Sequence, residues 1–252
     1  MVAIAPRLLR VLCLHGYAQN GETLRSRTGA LRKGLKSSCE FVFIDAPHPA
    51  TASFVEAGED GGEAKLAWWN AASDEADGTR PSQSMRYAGW DESQTKLEEL
   101  FAEQGHFDGI LAFSQGAAAA AVLLAALSAQ ERPVAFAILV SGFIPRDESV
   151  SRLLRAGPKL AVATLHCCGE ADTLVPASVT GELASLFEAP VVFKHTGGHV
   201  VPGNAPFRAA IKLFVEPHYA AANVATEAGG NTAVAEAGAE GRGAEAACSA
   251  RD

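Results

Sequence analysis

Short apolar runs alternate along the chain with segments whose apolar residues recur at helical spacing. The runs are predicted strands, because each stops at Gly, Pro or polar residues. They cover residues 8–15, 41–45, 109–113, 134–140, 160–167 and 191–195. Predicted helices cover residues 22–36, 91–104, 177–187 and 205 to about 215, and strong helix formers follow the third run. This alternation predicts an α/β fold, a doubly wound and mainly parallel sheet of about six strands with helices on both faces.

Two segments fall outside this alternation. Residues 51–90 form a polar, Gly-containing insertion between the second and third strands. Residues 220–252 are mostly Ala, Gly, Glu, Thr and Asn, a composition that cannot bury a core, so we expect a disordered tail there. The chain of 252 residues therefore predicts one domain over residues 1–219, which includes the insertion.

Charge and cysteine usage exclude several classes of partner and site. A net charge of −8 offers no basic surface to a phosphate backbone or an anionic membrane, so we expect no nucleic-acid binding. The five cysteines are scattered and contain no Cys-x-x-Cys pair, which predicts neither a disulfide framework nor a zinc site. A reducing, cytoplasmic setting fits this pattern best. We expect no metal and no cofactor.

One stretch without charges, from Gly109 to Gln130, is long enough to cross a membrane. Polar residues at Ser114 and Gln115 interrupt it, and its first residues favour a strand over one continuous helix. We therefore expect a buried strand and helix, and no stable membrane insertion.

The same stretch contains a candidate nucleophile, because the strand stops abruptly at Ser114-Gln115-Gly116 before the alanine-rich helix. In a nucleophile elbow the serine occupies a strained turn, and the residues two before and two after it must be small. Those residues are Ala112 and Gly116, so Ala112 departs from the usual Gly-x-Ser-x-Gly pattern by one methyl group. The alternative interpretation is a buried strand and helix with an incidental serine.

Two further side chains complete a candidate catalytic triad. Asp172 and His199 both follow predicted strands, and the carboxyl ends of parallel strands meet at one edge of a sheet. A serine needs an imidazole to take its proton, and the imidazole needs a carboxylate to fix its tautomer. The order Ser114, Asp172, His199 is that of an α/β-hydrolase triad.

Each partner of the serine also has an alternative interpretation. Asp172 alone could be an ordinary acid at a helix N-terminus. His199 competes with His195, which lies inside a predicted strand, where a histidine is more often packed. A zinc pair formed by these two histidines is disfavoured, because the Thr-Gly-Gly between them does not favour a helix.

The oxyanion that forms during acyl transfer needs two N–H donors in fixed positions. The backbone amide of Gln115, at the start of the elbow helix, is one candidate. The amide of Tyr17, in the loop after the first strand, is the second. The alternative for the His15-Gly16 segment before it is a plain turn that ends the strand.

The insertion is a candidate lid or wall of a substrate pocket, because aromatic side chains offer a large apolar area. Two further apolar residues follow the fourth strand and could line the same pocket. The candidate pocket residues are Trp68, Trp69, Tyr87, Trp90, Phe143 and Ile144. The alternative is that the rings pack the insertion onto the core.

Several of these motifs in combination resemble the FSH-type serine hydrolase family. They are Leu12-Cys13-Leu14-His15-Gly16-Tyr17 with Gln19, Phe107-Asp108-Gly109-Ile110 leading into Phe113-Ser114-Gln115-Gly116-Ala117, Ser141-Gly142-Phe143, Gly169 to Asp172 with Val175-Pro176, and Gly198-His199 with Pro202. The resemblance covers about residues 8–216. It implies an α/β-hydrolase core without the first two strands of the full fold, and Ser114, Asp172 and His199 as nucleophile, acid and base.

The resemblance further implies carboxylic ester or thioester substrates with acyl chains. We therefore expect a serine esterase that cleaves a small-molecule ester, with an aliphatic acyl chain, through an acyl-enzyme. The alternatives are a thioesterase or peptidase that uses the same triad, and a non-catalytic small-molecule binder on this fold. The sequence does not predict an oligomeric state.

Overall fold

A computed structural model gives the fold and describes residues 6–52, 64–75, 79–80, 82–129 and 134–237. In chain order the strands are β1 (Leu9–Leu14), β2 (Cys39–Ile44), β3 (His48–Pro49), β4 (Leu66–Ala67), β5 (Asn70–Ala71), β6 (Tyr87–Ala88), β7 (Gly109–Phe113), β8 (Phe136–Val140), β9 (Ala163–Gly169) and β10 (Val191–His195). The helices are α1 (Gly21–Arg27), α2 (Gly29–Leu35), α3 (Trp90–Glu103), α4 (Gln115–Ala129), α5 (Glu148–Ala156), α6 (Ala177–Ala184) and α7 (Ala205–Ala237).

The centre of the fold is a six-stranded sheet in the order β10-β9-β8-β7-β1-β2. All five neighbouring pairs are parallel, which confirms the predicted sheet. The chain starts in β1, moves outward to β2, and then returns to pair β7 with the other side of β1. A crevice opens at such a reversal, at the carboxyl ends of the strands. β1 and β7, which lead to the two candidate oxyanion loops, flank this reversal.

Side chains of the sheet alternate between two apolar cores, one on each face. Leu12 and Leu14 belong to the core that α3, α4, α5 and α6 cover. Val11 and Cys13, on the same strand, belong to the core that α1, α2 and α7 cover. Helices therefore cover both faces, as predicted.

The stretch without charges is not one helix, because it forms β7 and α4. Residues 115–127 of α4 are all buried, and alanine side chains let the helix lie close to the sheet. Within the residues that the structure describes, no helix combines the length and the apolar character needed to cross a membrane.

Three differences from the predicted elements have local causes. The helix predicted over residues 22–36 is broken into α1 and α2 at Thr28, whose hydroxyl donates to the Leu24 carbonyl at 2.8 Å. The nine-residue helix α5 was not predicted, since its pattern is short and follows a Pro-containing loop. Short antiparallel pairs, β3 with β4 and β5 with β6, fold the described parts of the insertion.

The last helix continues well past the predicted domain boundary at residue 219. α7 ends at Ala237, and the Asn223 side chain accepts a hydrogen bond from the Arg7 backbone amide at 2.8 Å. Alanine has the highest helix propensity, so a composition that cannot form a core can still extend a helix that is already anchored. This differs from the disorder expected from residue 220, and residues 238–252 lie outside the described residues.

Asp108 joins the amino ends of β1 and β7, opposite the candidate site. Its carboxylate accepts two hydrogen bonds from the Arg7 guanidinium, at 2.7 and 2.8 Å, and one from the Arg10 amide at 2.8 Å. Burial by itself would raise the pKa of Asp108, but the bonds from Arg7 and Arg10 and the charge of Arg7 outweigh it and lower this pKa. The ionised form is therefore the one that the fold stabilises.

We expect Asp108→Asn to lower the free energy of unfolding at pH 7 by about 1.5 to 3 kcal/mol, because it removes hydrogen bonds to a charged group. A lowered folded-state pKa stabilises the fold above the ordinary carboxyl value of 3.8 and stops doing so as the pH falls through the folded value. Urea unfolding at pH 7 and near pH 3 measures both effects. Glu40→Gln, on an exposed strand position, is the control and should change the energy by less than about 0.5 kcal/mol.

Candidate active site

Ser114 lies at the turn between β7 and α4, where the backbone is held in a left-handed conformation. Its φ is 53°, which few residues other than glycine adopt. Its amide donates to the Val140 carbonyl at 2.8 Å. A Cβ on Gly116 would lie only 2.4 Å from the Leu14 carbonyl oxygen, so no side chain fits two residues after the serine. The methyl of Ala112 is buried without disturbing this turn.

The structure brings Ser114, His199 and Asp172 together in one hydrogen-bonded chain. His199 Nε2 lies 2.8 Å from Ser114 Oγ, and His199 Nδ1 lies 2.8 Å from Asp172 Oδ2. A carboxylate accepts only, so Nδ1 carries the proton and donates it to Asp172. Nε2 is then unprotonated and can accept the serine proton.

Close packing between two loops places the acid beside the base. A Cβ on Gly169 would lie 2.3 Å from the Gly197 carbonyl oxygen, so the end of β9 contacts the loop after β10 through backbone atoms. His195 is buried at the end of β10, and its Nδ1 accepts from the Gly197 amide at 3.1 Å. His195 is therefore packed, whereas His199 faces the serine.

Asp172 is buried and fully hydrogen-bonded. Its Oδ1 accepts from the amides of Leu174 and Val175, at 3.0 and 2.9 Å. Its Oδ2 accepts from Ser141 Oγ at 2.9 Å, in addition to His199. Burial alone would raise the pKa of Asp172, but the Val175 amide, the bond to and charge of His199, and the Ser141 hydroxyl together lower it. The acid is therefore ionised at neutral pH.

Sequence reasoning did not identify the contact that Ser141 makes. The residue follows β8 directly, is fully buried and has a left-handed φ of 48°. The available signal was a Ser-Gly pair at the carboxyl end of a predicted strand, next in the sheet to the strand of the nucleophile. That position alone does not specify which side chain the hydroxyl contacts.

The two candidate oxyanion donors lie on loops that flank Ser114. Gln115 is the first residue of α4, where an N–H has no partner within the helix. The loop after β1 passes the serine closely, since a Cβ on Gly16 would lie 3.3 Å from Ser114 Cβ. Tyr17 follows in that loop, and its hydroxyl donates to the Asn70 side chain at 3.0 Å.

His15 shapes the loop that leads to Tyr17. Its Nε2 accepts from the Ala46 amide at 3.0 Å, so its Nδ1 carries the proton that faces the Gly16 carbonyl at 2.8 Å. Burial lowers the pKa of His15, which favours this neutral form. A buried, uncharged histidine therefore holds the turn that leads from β1 to Tyr17.

Four of the six candidate pocket residues form one aromatic cluster around Trp69. Its ring stacks on Tyr87 at 4.7 Å and meets the edges of Trp90 and Phe143 at 5.6 and 6.3 Å. Trp69 is fully buried, and Ile144 packs against the same core while partly exposed. The rings thus join the insertion to the core.

Trp68 packs separately, with its ring 5.5 Å from that of His15. The Gln115 side chain fixes this part of the insertion, because it accepts from the Trp68 amide at 2.9 Å and donates to the Trp69 carbonyl at 2.7 Å. Sequence reasoning considered only the backbone of Gln115. The side-chain contact ties the described insertion residues to the turn that holds the serine.

No metal-binding arrangement is found within the described ranges, where no group of three or more His, Cys, Asp or Glu side chains could hold an ion. The arrangement of Ser114, His199 and Asp172 supplies a nucleophile, a base and an orienting acid from the chain itself.

Solved structures share this fold at low sequence identity. Arabidopsis thaliana SOBER1 has a TM-score of 0.60 at 16% identity, over 84% of this chain and 99% of that one. Zea mays acyl-protein thioesterase 2 has a TM-score of 0.58 at 18% identity, over 85% of this chain and 95% of that one. At this level of identity the likeness shows the fold alone, and it confirms the predicted doubly wound α/β fold.

Sequence comparison identifies the family. The chain is 36% identical over 223 residues to the esterase OVCA2 of Bos taurus, which covers 84% of this chain and 97% of the relative. The model of the FSH1 serine hydrolase family matches residues 5–211. These findings confirm the expected class, a carboxylic ester hydrolase. The chain therefore belongs to the FSH1 family of serine hydrolases.

Proposed function

We propose that the protein hydrolyses carboxylic esters through Ser114, His199 and Asp172. The observation that carries the proposal is the hydrogen-bonded chain of these three side chains, with both links at 2.8 Å. His199 takes the serine proton while Ser114 Oγ attacks the ester carbonyl. The resulting imidazolium keeps its Nδ1 proton directed at Asp172, whose carboxylate stays ionised.

The amides of Tyr17 and Gln115 are the proposed donors to the oxyanion. Collapse of the tetrahedral intermediate releases the alcohol, which receives its proton from His199 and leaves the acyl group on Ser114. A water, activated by the same imidazole, then attacks the acyl-enzyme and releases the acid. The two loops support this role because both lie against Ser114 and one donor begins a helix.

The proposed substrate is a small ester with an aliphatic acyl chain, bound at Tyr87 and Ile144, which are the partly exposed residues at the edge of the buried aromatic cluster around Trp69. Four free cysteines, Cys13, Cys39, Cys167 and Cys168, are buried, which agrees with the reducing, cytoplasmic setting that we propose. A thioesterase is the second candidate, because the same triad cleaves thioesters and one fold neighbour is titled an acyl-protein thioesterase. Matched esters and thioesters of one acyl chain separate these two functions.

We expect Ser114→Ala to abolish ester hydrolysis and labelling by a fluorophosphonate probe, because both need the Ser114 oxygen. The assay is probe fluorescence on a gel beside hydrolysis of p-nitrophenyl esters. Ser128→Ala, at the other end of α4, is the control and should retain both activities. Full labelling of folded Ser114→Ala would contradict the assignment, because it would show another nucleophile. A wild-type protein that is neither labelled nor hydrolytic would instead favour the non-catalytic binder.

We expect Asp172→Asn to lower kcat by about 10³ to 10⁴, because an amide no longer fixes the reactive tautomer of His199. Circular dichroism checks that the variant folds, and steady-state hydrolysis gives kcat. Glu170→Gln is the matched control, since this nearby carboxylate is exposed, and its kcat should stay within about twofold. A larger loss in Glu170→Gln than in Asp172→Asn would assign the acid to Glu170.

We expect substitutions at Ile144 to change the preferred acyl chain. Ile144 is partly exposed beside the aromatic cluster, so Ile144→Ala should favour longer p-nitrophenyl esters and Ile144→Phe shorter ones, by about 3-fold to 10-fold in kcat/KM. A series of esters with increasing chain length measures the shift. Identical chain-length profiles in both stable variants would mean that this cluster only packs the insertion onto the core.

A further inference from the structure

Ser141 contacts the acid of the candidate site at the same carboxylate oxygen as the base. Its Oγ donates to Asp172 Oδ2 at 2.9 Å, and the same oxygen accepts from His199 Nδ1 at 2.8 Å. We propose that Ser141 is a positioning residue, which holds the Asp172 carboxylate in the orientation and the ionised state that His199 requires. The inference rests on the proposed function of the triad.

The backbone of Ser141 does not require a serine side chain. A left-handed φ of 48° is unfavourable for serine, and glycine would adopt it without a steric cost. The amide of Ser141 donates to the Cys167 carbonyl at 2.8 Å, which holds the main chain in this conformation whichever residue occupies the position. The serine side chain is therefore not needed for the turn, and its contact with Asp172 is the interaction that glycine would lack.

Four hydrogen bonds hold the Asp172 carboxylate, two on each oxygen. The amides of Leu174 and Val175 fix Oδ1, and the hydroxyl of Ser141 and Nδ1 of His199 share Oδ2. The Leu174 and Val175 amides bond only to Oδ1, so among the described residues Ser141 is the donor to Oδ2 that is not itself part of the reaction. The hydroxyl is fully buried, so water does not replace this bond.

Protonation of His199 during the reaction makes the orientation of Asp172 important. The imidazolium must keep its Nδ1 proton directed at Oδ2 while Ser114 attacks, and no proton leaves His199 for the acid. A carboxylate that has lost the Ser141 donor can rotate away from this line and is less strongly held in its ionised form, since that hydroxyl lowers the pKa of Asp172. Ser141 thus acts on the reaction through Asp172, without contact with the substrate.

The variants Ser141→Ala and Ser141→Gly together test whether the Ser141 hydroxyl positions Asp172. Both remove the hydroxyl, but glycine also removes the steric cost of the left-handed backbone. We expect both to lower kcat by about 10-fold to 100-fold, as for the loss of one hydrogen bond to a charged group, with KM within about twofold. Ser151→Ala, the same change at an equally buried serine on α5, is the control and should leave kcat and KM unchanged.

Thermal unfolding separates positioning from folding. Ser141→Gly should have a Tm equal to or above that of Ser141→Ala, yet the same low kcat. Recovery of wild-type kcat in Ser141→Gly would show that backbone strain, and not the hydroxyl, causes the loss, and would overturn the proposal.

A double-mutant cycle with Asp172→Asn tests whether Ser141 acts through the acid. In the Asp172→Asn background, Ser141→Ala should change the rate of fluorophosphonate labelling by less than about twofold, because the carboxylate that it positions is gone. Equal losses in both backgrounds would contradict the proposal. A wild-type enzyme without Ser114-dependent hydrolysis would instead contradict the proposed function. Active wild-type enzyme with unaffected Ser141 variants would overturn this inference alone.

Discussion

Ser114 has a left-handed backbone conformation, with a φ of 53°. This conformation costs a serine about 1 to 3 kcal/mol and persists only because the surrounding structure holds it. The turn is held from three directions. Its amide bonds to the end of β8, Gly116 lies against the carbonyl of Leu14 at the end of β1, and α4 begins at the next residue. Ser114 is therefore placed by backbone contacts with both neighbouring strands.

The same sheet edge determines which groups can reach the serine. The strands β1, β7, β8, β9 and β10 all end at this edge because they are parallel. Each is followed by a residue of the site, in chain order Tyr17, Ser114, Ser141, Asp172 and His199. Since each loop is short and packed against its neighbour, as Gly169 is against Gly197, the distances between reacting atoms follow from the spacing of strands.

The sequence predicts those features of the fold and the site that depend on local pattern and chain order. Six strands, their parallel alternation with helices, and the convergence of Ser114, Asp172 and His199 follow from apolar periodicity and from where each strand ends. Contacts between distant segments do not follow from the local pattern or from the chain order. Ser141 meets Asp172 across 31 residues, and the Gln115 side chain meets Trp68 across 47, so neither pairing leaves a local signal.

Helix boundaries differ for a related reason, because side chains and neighbours override the periodic pattern. Thr28 bonds back to Leu24 and divides a pattern that reads as one helix. Asn223 anchors α7 through Arg7, so the alanine-rich residues after 219 continue the helix. In both cases one polar contact decides the structure, and the apolar pattern around it is uninformative.

In the proposed reaction, Ser114 carries the acyl group during turnover. Its most direct test is rapid quenching of the reaction with a p-nitrophenyl ester during the first turnover, followed by intact-mass measurement and peptide mapping. We expect one acyl group per chain, located on Ser114, and a burst of about one equivalent of p-nitrophenol. An acyl group on another residue, or a burst with no adduct on Ser114, would contradict it.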